Sequence, residues 1–111
     1  MTTGYPDFNP DYRDDAPTIV DVEAWAGYAI LEFGASWCGH CLSAEPVIKN
    51  VLVDHPQLPH IRIADGRGKK LGRLFRVKLW PTLILLKDGQ EIMRLVRPTR
   101  IAEVSDLLAV I

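Results

Sequence analysis

The chain has 111 residues, 48% hydrophobic and 24% charged, with two cysteines, 13 basic and 14 acidic residues and a formal net charge of −1. That length holds one domain and buries roughly 65% of the surface that the unfolded chain exposes, enough for a core without staples. The composition excludes a disordered chain and a disulfide scaffold, and the longest apolar stretch, residues 79–86, is broken by Pro81 and Thr82 and far short of a membrane span. The total charge conceals a split, −7 over residues 1–60 and +6 over residues 61–111. Such asymmetry signals an anionic partner, a basic tail, or a fold that interleaves the two halves.

Residues 1–17 read as a leader that mixes turn formers with aromatics and has no helical or strand period, and residues 18–111 as the folded domain. A short helix or strand–helix entry is expected between Thr18 and Ala26. Residues 28–33 form a mostly apolar run ended by Gly34, the pattern of a strand buried on both faces. Ala44, Val47, Ile48, Val51 and Leu52 then fall at helical spacing, with Pro46 a kink point and Pro56 and Pro59 the stop. Residues 60–64 are a short strand, followed by the turn Asp65-Gly66 and a second helix placing Leu71, Leu74 and Phe75 on one face. Two apolar runs separated by Asp88-Gly89 predict a hairpin. Thr99 is a candidate cap for a last helix with Ile101, Val104, Leu108 and Ile111 inward. This alternation predicts an α/β fold: a mixed central sheet with helices on both faces.

Both cysteines lie in Trp37-Cys38-Gly39-His40-Cys41, directly after the buried strand and at the start of the long helix. Residues i and i+3 of a first helical turn share a face, so a Cys38–Cys41 disulfide can close without moving the backbone. A thiolate at that helix end meets free amide N–H groups and the positive end of the dipole, which favours its ionised form. Cys38, at the cap, is expected to be the exposed nucleophile, and Cys41, one turn in, the shielded thiol that resolves a mixed disulfide. His40 is placed to favour the Cys38 thiolate. Glu32, in the middle of the buried strand, would be costly if unpaired, so a raised pKa and a role as proton acceptor for Cys41 are expected.

Two competing readings share these residues. Cys38-x2-Cys41-x13-His55-x4-His60 has the spacing of a two-cysteine, two-histidine zinc site. Pro56 and Pro59 prevent the two histidines from riding one helix, so His55 reads as a helix-end residue, His60 as a loop residue, and no metal is expected. Arg67, Lys69, Lys70, Arg73, Arg76 and Lys78 crowd twelve residues, as a phosphate-binding surface would. Leu71, Leu74 and Phe75 interleave with them, which makes the charges the solvated face of a packed helix and argues against nucleic acid.

The segment from Leu31 through Cys41, with Pro46 five residues on, closely resembles the active-site segment of the thioredoxin superfamily. Trp80-Pro81-Thr82-Leu83 resembles that family's cis-proline loop and Lys87-Asp88-Gly89 its hairpin turn, and the similarity covers residues 28–111. The resemblance implies the thioredoxin fold and dithiol–disulfide exchange on protein substrates. It also implies no bound cofactor beyond the redox-active Cys38–Cys41 pair, and an NADPH-dependent thioredoxin reductase as the candidate electron donor. Carried over by position, Cys38 matches the nucleophile, Cys41 the resolving cysteine, Glu32 the buried acid and Pro81 the cis-proline. Trp37, Gly39 and the Trp80 backbone match the substrate-facing surface. This sequence departs from typical thioredoxins at several positions. His40 replaces proline, giving the Cys-Gly-His-Cys of protein disulfide isomerases. Gly34 replaces an aromatic residue, Leu42 a basic one, Trp80 a smaller one, and Arg97 a small glycine beside the substrate groove.

The leading expectation is therefore a monomeric, cytoplasmic protein-disulfide reductase with no membrane association. The first 20 residues lack the basic-then-apolar pattern of a signal peptide. Protein disulfide oxidase or isomerase activity is the alternative that His40 favours, and a binding or chaperone module is the non-enzymatic one. Lys78 and Arg97 are expected to flank Trp80 and Pro81 and to favour substrates with acidic residues near the disulfide.

Overall fold

The computed structural model describes residues 12–111, so most of the expected leader lies outside the described residues. The elements run α1 (Ile19–Glu23), β1 (Tyr28–Gly34), α2 (Gly39–Leu52), β2 (His60–Ala64), α3 (Lys70–Leu74), β3 (Thr82–Lys87), β4 (Gln90–Val96) and α4 (Ile101–Leu108). The sheet order is β2-β1-β3-β4, with β1 and β2 parallel and the remaining pairs antiparallel. A parallel pair needs a long crossover, and α2 supplies it. The mixed sheet with helices on both faces matches the expectation.

The apolar run of β1 is central and covered on both sides. Ile30 packs with Ala44, Ile48, Val51 and Leu52 of α2 and with Val104, Leu107 and Leu108 of α4. Leu31 and Phe33 pack on the other face with Val22 of α1, Leu71 of α3, and Ile61 and Ile63 of β2. Each such side chain contributes on the order of 1.5–3 kcal/mol of burial. The α2 helix runs unbroken through Pro46. The hairpin turn places Asp88 at φ 51° and Gly89 at φ 79°, the paired left-handed conformations of a two-residue turn that Asp-Gly adopts at little cost. Asp88 Oδ1 also accepts from the Gly27 N–H at 2.7 Å, tying the turn to the entry of β1.

Three packing expectations are corrected. Leu74 is exposed, because α3 ends there after five residues, while Leu71 is buried in the core and Phe75 packs against it. Ile101 and Ile111 are exposed at either end of α4, leaving Val104, Leu107 and Leu108 as its inner stripe. The α4 cap falls on Arg100. The Glu103 carboxylate reaches back to the N–H groups of Thr99 and Arg100 at 2.9 and 3.0 Å, and the Thr99 hydroxyl bonds that carboxylate instead of the helix.

Tyr12 and Arg13, within the expected leader, are joined to the sheet. Arg13 N–H donates to the Arg62 carbonyl and its own carbonyl accepts from Ala64 N–H, each at 2.8 Å, a parallel bridge along the β2 edge. Lys69 Nζ holds Asp14 at 3.3 Å.

Candidate active site

The chain leaves β1 at Gly34, turns through Ala35, Ser36 and Trp37, and enters α2 with Cys38 as its N-cap. The strand end and helix start fix both cysteines at the edge of the sheet. Cys38 Sγ accepts from the Cys41 N–H at 3.3 Å, taking the place of a capping oxygen and satisfying one of the free amides of the first turn. Both thiols are reduced. Cys38 is less exposed than expected, at 7%, because Ala35, Cys41, Tyr12 and Trp80 pack around it; Cys41 is at 1%. Burial, joined by its hydrogen bond with Cys38, pushes the Cys41 thiol up to about 11. Gly39 and His40 are exposed on the first turn of α2.

Glu32 is fully buried, as expected, and its surroundings reverse the expected shift. Tyr12 Oη donates to Glu32 Oε2 at 2.5 Å, Arg62 Nε and an Arg62 terminal nitrogen each lie 3.1 Å from the same oxygen, and His60 Nε2 lies 2.8 Å from Oε1. Burial pushes this carboxyl upward, but His60, Arg62 and Tyr12 outweigh it and hold it below the usual carboxylate range. Arg62 continues to Glu45 of α2 at 3.0 Å and lies 3.9 Å over the Tyr12 ring. His60 is thus a buried strand residue bonded to Glu32, not a loop residue. Among the described residues no group of three or more His, Cys, Asp and Glu side chains is arranged to hold a metal ion.

The Cys38 side of the site is open. Trp37, 75% exposed, stands edge-on to Trp80 with ring centroids 5.5 Å apart, and Trp80 Nε1 donates to Asp65 Oδ2 at 2.9 Å. The Trp80–Pro81 peptide bond is cis. Arg97, at φ 52°, donates from Nε to the Trp80 carbonyl at 2.8 Å and from its backbone N–H to the Pro81 carbonyl at 2.9 Å. Lys78, Arg67, Lys69 and Arg73 line a groove of about 430 Å³ that ends on Trp80.

The structure therefore brings together Cys38, Cys41, Trp37, Trp80, Pro81 and Arg97 at the mouth, with Glu32 beneath. Sequence reasoning missed Tyr12, His60, Arg62 and Glu45. The signal for Arg62 and His60 was their even spacing in a five-residue strand, which puts both on one face. Tyr12 gave none.

Two free cysteines one helical turn apart, Cys38 at the helix cap and Cys41 the more deeply buried, define a thiol–disulfide oxidoreductase. The Thioredoxin family model matches residues 18–109, and the chain belongs to the thioredoxin family. It is 34% identical over 71 residues to a thioredoxin of Chlamydia pneumoniae, covering 64% of this chain and 70% of that protein. It is 30% identical over 99 residues to a thioredoxin of Mycobacterium tuberculosis, covering 85% of each. The structure of reduced thioredoxin 2 from Pseudomonas aeruginosa PAO1 superposes with a TM-score of 0.82 at 40% identity, covering 91% of this chain and 94% of that one. The protein is accordingly a thiol–disulfide oxidoreductase that works through its two cysteines. Among the described residues no helix is long and apolar enough to cross a membrane.

Proposed function

We propose that the protein reduces disulfides of protein substrates in the cytoplasm as a monomer, with Cys38 as nucleophile and Cys41 as resolving thiol. The observation that carries this reading is the asymmetry of the pair. Cys38 caps α2 beside the open Trp37–Trp80 mouth, while Cys41 is buried behind it with its N–H on the Cys38 sulfur.

Attack by the Cys38 thiolate on a substrate disulfide forms a mixed disulfide and releases the first substrate thiol. Cys41 then gives up its proton and attacks Cys38 Sγ, releasing the second thiol and closing the Cys38–Cys41 disulfide. Burial of Cys41 keeps it protonated until that step, and Glu32, held ionised in the interior, is the proton acceptor. Trp37, Gly39, Trp80, Pro81 and Arg97 form the surface on which an extended substrate segment lies, with backbone pairing along the Trp80 edge. Because Arg97 occupies the Trp80 carbonyl, that segment pairs through the remaining backbone groups or displaces the guanidinium. An NADPH-dependent thioredoxin reductase returns the pair to the dithiol.

Substitution Cys41→Ser tests the assignment. It is expected to accumulate substrate proteins as stable mixed disulfides on Cys38, released by reductant. Recovery of no disulfide-linked protein would overturn it. The Cys-Gly-His-Cys sequence favours a second, more oxidising reading, and the reduction potential separates the two, near about −270 mV for a reductase and near about −180 mV for an isomerase-like poise.

A further inference from the structure

The proton that Cys41 must lose has a built route, and it begins outside the segment that carries the cysteines. A Cβ placed on Gly34 would stand 2.7 Å from Cys41 Sγ and 2.7 Å from Tyr12 Oη, so both atoms close on the bare face of one α-carbon. The Tyr12 hydroxyl donates to Glu32 Oε2, and Cys41 Sγ stands against the same bare face of Gly34 as the Tyr12 oxygen. Glu32 is already engaged by His60 and Arg62, and its ionised carboxylate accepts the Tyr12 proton, leaving the phenol oxygen's lone pairs for the Cys41 S–H.

We propose that Tyr12 is a catalytic residue, a hydroxyl relay through which the Cys41 proton reaches Glu32, and that Gly34 is the cradle that lets the two sulfur and oxygen atoms meet. The inference rests on Cys41 being the resolving thiol. As Cys41 attacks Cys38 Sγ, its S–H proton passes to the Tyr12 oxygen while the Tyr12 proton passes to Glu32. The Cys41–Cys38 bond forms, the Cys38–substrate bond breaks, and the substrate sulfur leaves with the electron pair as a thiolate. The dithiol is oxidised by two electrons and the substrate disulfide reduced by two. The proton held on Glu32 balances the thiolate released and exits when the pair is next reduced or through the cleft of about 340 Å³ between Tyr12, Cys41, Glu45 and Arg62.

The geometry is fixed by contacts of the Tyr12 segment with the rest of the chain. The Arg13 bridge to the β2 edge and the Asp14–Lys69 ion pair hold the segment in place, and the Arg62 guanidinium sits 3.9 Å over the Tyr12 ring. Gly34 stands where the resemblance expects an aromatic residue, and such a side chain would displace the Tyr12 hydroxyl. The titratable and charged groups around Tyr12 are Glu32 on β1, His60 and Arg62 on β2, and Cys41 and Glu45 on α2. Burial and the Glu32 carboxylate hold the Tyr12 proton on the phenol at rest, against the pull of Arg62, which makes it a carrier and not an independent base.

The test is a stopped-flow reaction of the reduced full chain with an aryl disulfide that releases a coloured thiolate. The first phase reports attack by Cys38 and the second reports resolution by Cys41. Tyr12→Phe keeps the ring over Arg62 and removes the hydroxyl. The expected result at about pH 7 is an unchanged first phase and a second phase slowed about 100-fold, the low end of general acid–base contributions. The deficit should close as pH rises and Cys41 ionises without help. Glu32→Gln should slow the same phase, and the double variant should be no slower than the slower single one, because the two groups act in series. A Tyr12→Phe second phase within twofold of the parent, or a Glu32→Gln defect without a Tyr12→Phe defect, would overturn the relay and leave the cysteine roles standing. A parent chain with no second phase would overturn the cysteine roles and the relay with them. If Tyr12→Phe does not fold, the parent itself decides in mixed light and heavy water. Two protons in flight bow the dependence of the second phase on deuterium fraction, and a single direct transfer makes it a straight line.

Discussion

Along β1 and β2 the odd-numbered residues Leu31, Phe33, Ile61 and Ile63 pack against α1 and α3, while the even-numbered Glu32, His60 and Arg62 share the face that meets α2. One face is apolar throughout and the other buries Glu32 with His60 and Arg62 each within 3.1 Å of its carboxylate. The parallel register sets Glu32 directly opposite Arg62 and Ile30 opposite His60, so the pleat alone assembles the polar group. The apolar face yields stability from area removed from water. The polar face must recover a desolvation cost of several kcal/mol per ion through Coulomb and hydrogen-bond energy, and replacing such a group by apolar residues is often neutral or better for stability. Under the proposed relay, the charges serve the proton of the buried Cys41.

The largest effects should come from breaking each face separately. Phe33→Ala is expected to cost about 3–5 kcal/mol in denaturant melts, from lost burial and the cavity left behind, with no change in the rate of the Cys41 step. Arg62→Ala should cost a similar ~3–5 kcal/mol by leaving Glu32 buried without its guanidinium partner, and should also slow the Cys41 step. Equal stability losses with equal, unchanged resolution rates would erase the distinction between the faces.

Acid should sharpen it. Glu32 is held below the usual carboxylate range in the fold, against about 4.3 in the unfolded chain. A depressed folded pKa contributes stability that is present above about pH 4.3 and lost as pH falls through the folded value. Glu32→Gln should therefore be less stable than the parent near neutrality, with the gap narrowing below about pH 4. A gap that stays constant down the acid range would mean the carboxylate is not the stabilised form.

The smallest effect belongs to the mouth. Arg97 bonds the Trp80 carbonyl and Lys78 lines the groove that ends on Trp80. Reversing both to glutamate should raise KM up to about 5-fold for peptide disulfides flanked by acidic residues, the scale of exposed ion pairs, and leave neutral peptides unchanged. An equal shift for both peptides would remove the charge preference.

Much of the site was legible before any coordinates. The strand from Tyr28, the Cys38–Cys41 spacing at a helix start, Pro81 ahead of β3 and the Asp88-Gly89 turn are local features, each written within a few residues of sequence. The charge split of −7 and +6 proved to be an effect of chain order, since acids of the first half meet bases of the second in the fold as Glu32–Arg62, Glu45–Arg62 and Asp14–Lys69. The expected upward shift of Glu32 failed for the same reason. Its partners lie 20 to 30 residues away, and no periodicity within one element reports which strand will stand beside which.

By itself, then, the sequence determined the order and type of the elements, the place of the two thiols at the head of α2, and the hairpin that closes the sheet, because propensity, period and turn chemistry act over short separations. The tertiary structure alone decided the ionisation of Glu32, the depth of Cys41, and the arrival of Tyr12 over Gly34. Those depend on parallel pairing and on a segment laid along the β2 edge, where distances of about 3 Å join residues that the chain keeps far apart.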